Sequence, residues 1–210
     1  MPQSAQILRN PIATFDRIIL AAVECYQRFG VQGSSMDMIA QEANTSKPTL
    51  YAHFGSKDKL FDAVITAISE NMINDENFSY RKGQSPHTQL VAIFSRQLQS
   101  SLEPDKVYLF RAIMVETARR DKGLPNYDKS KKEMLLRKWL QDAHEDDAIS
   151  IEDLETTTNN LLAIINGRFF YPEILGIKHF SEKGRQKEIE KSITTFLKPL
   201  IKPNHIKLIS

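Results

Sequence analysis

Residues 46–54 run Ser-Lys-Pro-Thr-Leu-Tyr-Ala-His-Phe. Wound into a helix, Leu50 and Phe54 share one face at i and i+4, which leaves Lys47, Pro48, Thr49, Tyr51, Ala52 and His53 for the other faces and the first turn. Two apolar anchors are poor content for a packing element, whereas an outward lysine, threonine, tyrosine and histidine suit a groove of duplex DNA. Lys47 can donate to phosphate or to guanine O6 and N7, Thr49 can meet a thymine methyl or a base edge, and Tyr51 and His53 can donate to phosphate oxygens. Pro48 fits the first helical turn, where its missing N–H costs nothing, and it offers an apolar face to thymine methyls.

Such a helix has to be held by others. A short segment from Ser34 or Ser35 to about Ala43 precedes it, with Ser34 and Asp37 spaced as a capping box and Met36, Ile39 and Ala40 facing inward. Asn44 and Thr45 follow, and Asn44 is one of the few non-glycine types that tolerate the positive φ of a tight turn. Two short helices joined by about four residues have the dimensions of a helix-turn-helix. Ahead of them Phe15, Ile18, Ile19, Ala22, Tyr26 and Phe29 recur at helical spacing and stop at Gly30; Cys25 shares that stripe and is expected as a buried structural thiol. From Ser56 onward, Leu60, Phe61, Val64, Ile65, Ile68 and Met72 mark another amphipathic helix. Ser35 and Lys57 open helices whose first N–H groups can also face phosphates.

Charge bounds the reading. With 28 basic and 26 acidic side chains in 210 residues the chain is no cationic nucleic-acid coat, so binding to DNA has to be local. The first 60 residues hold six basic and five acidic groups, too few for one module to bind tightly, which points to two copies acting together. The single cysteine excludes an internal disulfide and a multi-cysteine zinc site and suits a reducing compartment.

With these residues in view, the segment IAQEANTSKPTLYAHFGSKDKLF and its surroundings, residues 15–61, resemble the DNA-binding domain of the TetR (tetracycline-repressor) family. The matching positions are Ile39, Ala40, Ala43, Ser46, Tyr51, His53, Phe54, Lys57 and Leu60. Asn44 stands where the family usually has glycine and Thr45 where it has an aliphatic residue, departures that bear on the turn's stability more than on its identity. The resemblance implies that Lys47, Pro48, Thr49, Tyr51 and His53 face DNA and that Lys57 holds phosphate. Together with Ser35 and Ser46 they form the candidate DNA-binding set.

The polar stretch NDENFSYRKGQSP is the expected break between an N-terminal domain of residues 1–75, its motif about residues 35–54, and a second domain of residues 76–210. Helical periodicity continues over residues 86–102, 105–119, about 127–144, 151–170 and 183–200, so the fold class is all-α: a three-helix helix-turn-helix domain followed by a larger helical domain. The resemblance implies that this larger part binds ligand and dimerises, and the runs LFRAIMVETARR, with a Leu-Pro after it, and NGRFFYPEILG resemble the C-terminal domain of one TetR subgroup. Candidates for an effector pocket are Phe94, Tyr108, Phe110, Met114, Trp139, Asn166 and Arg168, although for any single one of Tyr108, Phe110, Met114 and Trp139 ordinary core is the better reading. Leu161, Leu162, Ile165, Phe169, Ile189, Ile193, Phe196 and Leu197 are candidates for a twofold four-helix interface, with burial inside one chain as the alternative.

Other chemistries find little support. Asp142, Glu145, Asp146, Asp147, Glu152, Asp153 and Glu155 beside His144 read as a solvated loop and helix start rather than a metal site. HExxH, GxSxG, P-loop and GxGxxG motifs are absent, so no enzyme, cofactor or metal is expected. The longest apolar runs, near residues 18–23 and 161–165, fall far short of the roughly 18 residues of a membrane span. The N-terminus, with its single Arg9, lacks a secretory core, so the expectation is a cytoplasmic chain. The reading that results is a homodimeric regulator on a palindromic double-stranded DNA operator, most simply a repressor, released by a small-molecule effector. An effector-free architectural or activating DNA binder, and an all-α enzyme or sensor with a decorative motif, are the alternatives.

Overall fold

A computed structural model of the chain describes residues 13–71, 78–120 and 131–201, and every regular element among them is helical. Among the described residues, those up to Ile68 and those from Tyr108 to Arg120 form one compact unit, while those between Ser69 and Val107 and those from Lys131 onward form a second. Arg9, Met72, the Leu124-Pro125 pair and Tyr127, all used in the sequence reading, lie outside the described residues.

In the first unit, α1 (Thr14–Gly33) buries Ile18, Ile19, Ala22, Cys25 and Tyr26. Gly30 breaks the helical run at φ 69°, ψ 169°, a left-handed geometry that glycine adopts without the Cβ penalty, and the last turn resumes beyond it. Two expected core residues are instead exposed: Phe15 by 43% and Phe29 by 46%. Each sits near an end of the helix, where periodicity alone does not guarantee a covering neighbour. The Phe15 ring leans on Phe54 at 5.1 Å, and the Phe29 ring carries the Arg28 guanidinium at 4.9 Å. α2 (Met36–Glu42) and α3 (Lys47–Phe54) follow, then α4 (Lys57–Asn71). Leu109 and Ile113 complete the core that these helices share around Tyr26, Phe61, Ile39, Leu50 and Leu60.

The second unit contains α5 (Pro86–Ser101), α7 (Lys131–Glu145), α8 (Leu154–Ile165), the short α9 (Tyr171–Ile174) and α10 (Glu182–Leu197). α6 (Pro104–Arg119) starts in this unit and belongs to the first from Tyr108 onward. The expected single helix over residues 151–170 differs in two ways. It begins at Leu154, because Asp153 accepts from the Thr156 N–H at 3.0 Å and caps it. It also ends in a π-helical turn, Asn166–Phe170, in which the Tyr171 N–H bonds back to the Asn166 carbonyl. The core is built on Phe94, Trp139, Phe169, Leu90, Leu136 and Leu140.

Candidate nucleic-acid interface

The geometry of residues 34–57 follows from caps and one turn. Ser35, not Ser34, is the N-cap of α2, its Oγ accepting from the Met38 N–H at 3.1 Å. Ser34 is fully buried and donates to the Gly30 carbonyl at 2.7 Å, tying the end of α1 to the start of α2. α2 ends at Ala43, Asn44 takes φ 48°, and the Thr45 N–H reaches the Ala40 carbonyl at 2.9 Å. The turn therefore adopts the left-handed residue that the Asn44 position predicts. Ser46 caps α3 through the Thr49 N–H at 3.2 Å, Pro48 occupies the first turn, and Gly55 at φ 71° closes the helix onto the Tyr51 carbonyl at 2.8 Å.

α3 is fastened by two residues, Leu50 and Phe54, both buried. Lys47, Pro48, Tyr51 and His53 are exposed and Thr49 is half-buried, so the side chains expected outward are outward. Ser35 and Ser46 stand at the helix starts; each hydroxyl already accepts a capping N–H, and Ser46 Oγ also bonds Thr49 Oγ1 at 2.7 Å. Lys57 begins α4 with its Nζ on the Gln32 carbonyl at 3.2 Å.

Several partners of these groups escaped sequence reading. Asp37 on α2 pairs with Lys47 at 2.8 Å, and this carboxylate holds the lysine's pKa above its ordinary value. The two residues are ten apart across a turn, a separation with no helical signature. Below the motif, Glu116 is 3% exposed and accepts from Gln32 Nε2 at 2.6 Å and from Arg119 at 2.9 Å. Arg119 and Gln32 hold its carboxyl below the usual range. Arg120 pairs with Asp62 at 2.6 Å and lies 4.7 Å over the Phe61 ring. The second half of α6 is thus part of the support of the helix-turn-helix.

The candidates outside the motif are distributed as follows. Tyr108, exposed by 58%, and the half-buried Phe110 and Met114 belong to the first unit; Phe94, Trp139, Asn166 and Arg168 belong to the second. Phe94 and Trp139 are fully buried, Asn166 is half-buried, and the exposed Arg168 pairs with Glu188 at 3.1 Å. A cleft of about 510 Å³ runs along the charged face of α7 (Glu133, Arg137, Lys138, Gln141), and one of about 100 Å³ lies beside α5; neither includes any of the seven. Of the eight interface candidates, Leu161, Ile165, Phe169, Ile189, Ile193, Phe196 and Leu197 are buried by the chain itself, and Leu162 alone keeps part of its surface. In the acidic stretch, Asp153 is a cap, Asp146 accepts from Tyr80 at 2.9 Å and pairs with Lys82, and His144 Nδ1 accepts the Ile151 N–H at 3.2 Å.

A polar helix on two apolar anchors, set behind a left-handed turn in a chain whose described elements are all helical, defines a helix-turn-helix regulator. The family model described as bacterial regulatory proteins of the tetR family matches residues 18–64, and that of the AefR-like transcriptional repressor C-terminal domain matches residues 88–199. The chain belongs to the TetR family. It is 44% identical over 57 residues, 27% of its length, to the HTH-type transcriptional repressor SCO4008 of Streptomyces coelicolor. That match spans 30% of the relative's own length. A TetR family regulator from Pseudomonas syringae pv. tomato shares the fold with a TM-score of 0.69 at 21% identity, covering 90% of this chain and 97% of that one. The flavonoid-responsive regulator FrrA is similar with a TM-score of 0.65 at 26% identity, covering 90% and 98%. No helix among the described residues is long and apolar enough to cross a membrane.

Proposed function

We propose that this chain is a repressor that grips a palindromic operator as a homodimer and lets go when a small molecule binds the second unit. The observation that carries this reading is the outward face of α3. Lys47, Pro48, Thr49, Tyr51 and His53 are presented to solvent by a helix whose only buried side chains are Leu50 and Phe54. In the proposed complex these five meet the major groove, Ser35 and Ser46 bring helix N-termini to the phosphates, and Lys57 exchanges its carbonyl partner for a phosphate.

Two copies about one DNA turn apart would multiply a weak individual grip, and a change in their separation would loosen both half-sites together. The second copy would dock on the outer sides of α8 and α10, where the half-buried Leu162 still has surface to give. Effector release is favoured by the match to a repressor-type C-terminal domain and by the ligand-responsive structural relative. The test is a salt-controlled gel shift on DNA upstream of the protein's own gene. Tyr51→Ala and Lys47→Ala should each weaken binding at least about tenfold with the dimer's melting temperature unchanged. Unaltered affinity would sink the assignment.

A further inference from the structure

Lys132 on α7 is half-buried, and among the described residues no carboxylate pairs with its ammonium. Its Nζ lies 5.9 Å over the Phe94 ring of α5 and 3.4 Å from Asn166 Oδ1. Desolvation is the sole cause that moves its pKa, down to about 8. A charge so placed costs stability and, among the described residues, receives neither an ion pair nor a short hydrogen bond in return. The acceptor it reaches stands in the π-helical turn Asn166–Phe170, a rare irregularity of the kind that recurs at functional sites. Two more polar groups of the same unit are buried without a partner among the described residues: Gln97 Oε1, one turn along α5 from Phe94, and Trp139 Nε1, two turns along α7 from Lys132. Unsatisfied donors and an acceptor on an aromatic-lined apolar core are what a ligand with a polar end would satisfy.

We propose that Lys132, over Phe94 and beside Asn166, is the anion anchor of the effector site, and that the effector is an organic acid with an apolar body. The acid's carboxylate takes the charge of Lys132, and its body lies against the Phe94 side of the core. This rests on the reading of the second unit as the effector domain. Arg168 is not the anchor, because it is exposed and already paired with Glu188.

Trp139 is the only tryptophan in the chain, so its fluorescence reports on this core alone. The experiment titrates the full-length protein with hexanoate, decanoate and phenylacetate, each against its amide, reading Trp139 emission and melting temperature. The acids should bind at least about tenfold tighter than the amides. Lys132→Met should erase that preference, and Lys132→Arg should keep it. Lys132→Gln serves the same end if the methionine variant does not fold. Equal binding of acids and amides, acid binding by Lys132→Met at the wild-type level, or no acid bound at about 1 mM would overturn the anchor. The two readings fail separately. A neutral compound that releases the operator while no acid binds overturns the anchor and leaves the regulator ligand-responsive. Lys132-dependent acid binding with operator affinity unchanged upholds the anchor and overturns release.

Discussion

Lys47 carries two obligations. It faces outward on α3, where the proposed function gives it a DNA partner, and it is paired with Asp37 at 2.8 Å. On the proposed reading, the Asp37 carboxylate competes with phosphate for this ammonium and offsets part of its charge, which would weaken binding to any duplex. Asp37→Asn should tighten binding to random-sequence duplex about threefold at low salt, with the gain fading as salt screens the pair; anisotropy titrations at two ionic strengths check this. Lys132 is the other residue whose cost is visible. Its folded-state pKa, about 8, is below the ordinary 10.5, so between those values the unfolded chain binds more protons than the native one and stability rises with pH. Below about pH 8 the full penalty is present. Lys132→Met should therefore raise the melting temperature at pH 7, and the gain should shrink as pH climbs from about 8 towards 10.5, measured by thermal melts across that range. The outward role of Tyr51, Lys47 and His53 was legible because helical spacing sorts faces; Asp37 and Lys132 were not, because their partners lie on other helices.

Among the elements, the turn between α2 and α3 is set by Asn44 at φ 48°. A β-branched residue pays the full left-handed penalty there, so Asn44→Val should cost roughly 1–2 kcal/mol while Asn44→Gly stays close to neutral. Urea unfolding followed by DNA affinity tests both, since the motif has to form before it can bind. Local patterns described α3 well, with Ser46 at its start, Pro48 in the first turn and Gly55 at its end. They missed the cap of α2 by one residue, because Ser34 and Ser35 are both capping types and only burial of Ser34 against Gly30 separates them. The π-helical turn after α8 has no sequence mark beyond Gly167.

For the molecule as a whole, α6 decides what the DNA-reading part consists of. Leu109 and Ile113 lie in the same core as Tyr26 and Phe61, and Glu116 and Arg120 bind Gln32 and Asp62. A fragment ending at residue 75 lacks all four. It should melt about 10 °C or more below the corresponding transition of the intact chain and bind DNA more weakly, as calorimetry and a gel shift would show. The dimer is a prediction at this scale as well: sedimentation equilibrium should give twice the chain mass, and Leu162→Asp should halve it, because a charge in an apolar interface loses its hydration without a partner.

By itself the sequence determined the helical class, the helix-turn-helix and the outward face of α3, because each depends on spacing within a few residues: apolar periodicity, caps and one residue able to turn left-handed. Which surfaces remain available was decided only in three dimensions. Leu161, Ile165, Ile193 and Leu197 carry the same apolar signal whether they meet their own chain or another, and the packing of the second unit assigned them to their own. The same holds for Phe29, apolar and in phase yet 46% exposed, and for Glu116, charged yet buried. Periodicity records which face of a helix is apolar or polar; what covers that face depends on elements distant in sequence.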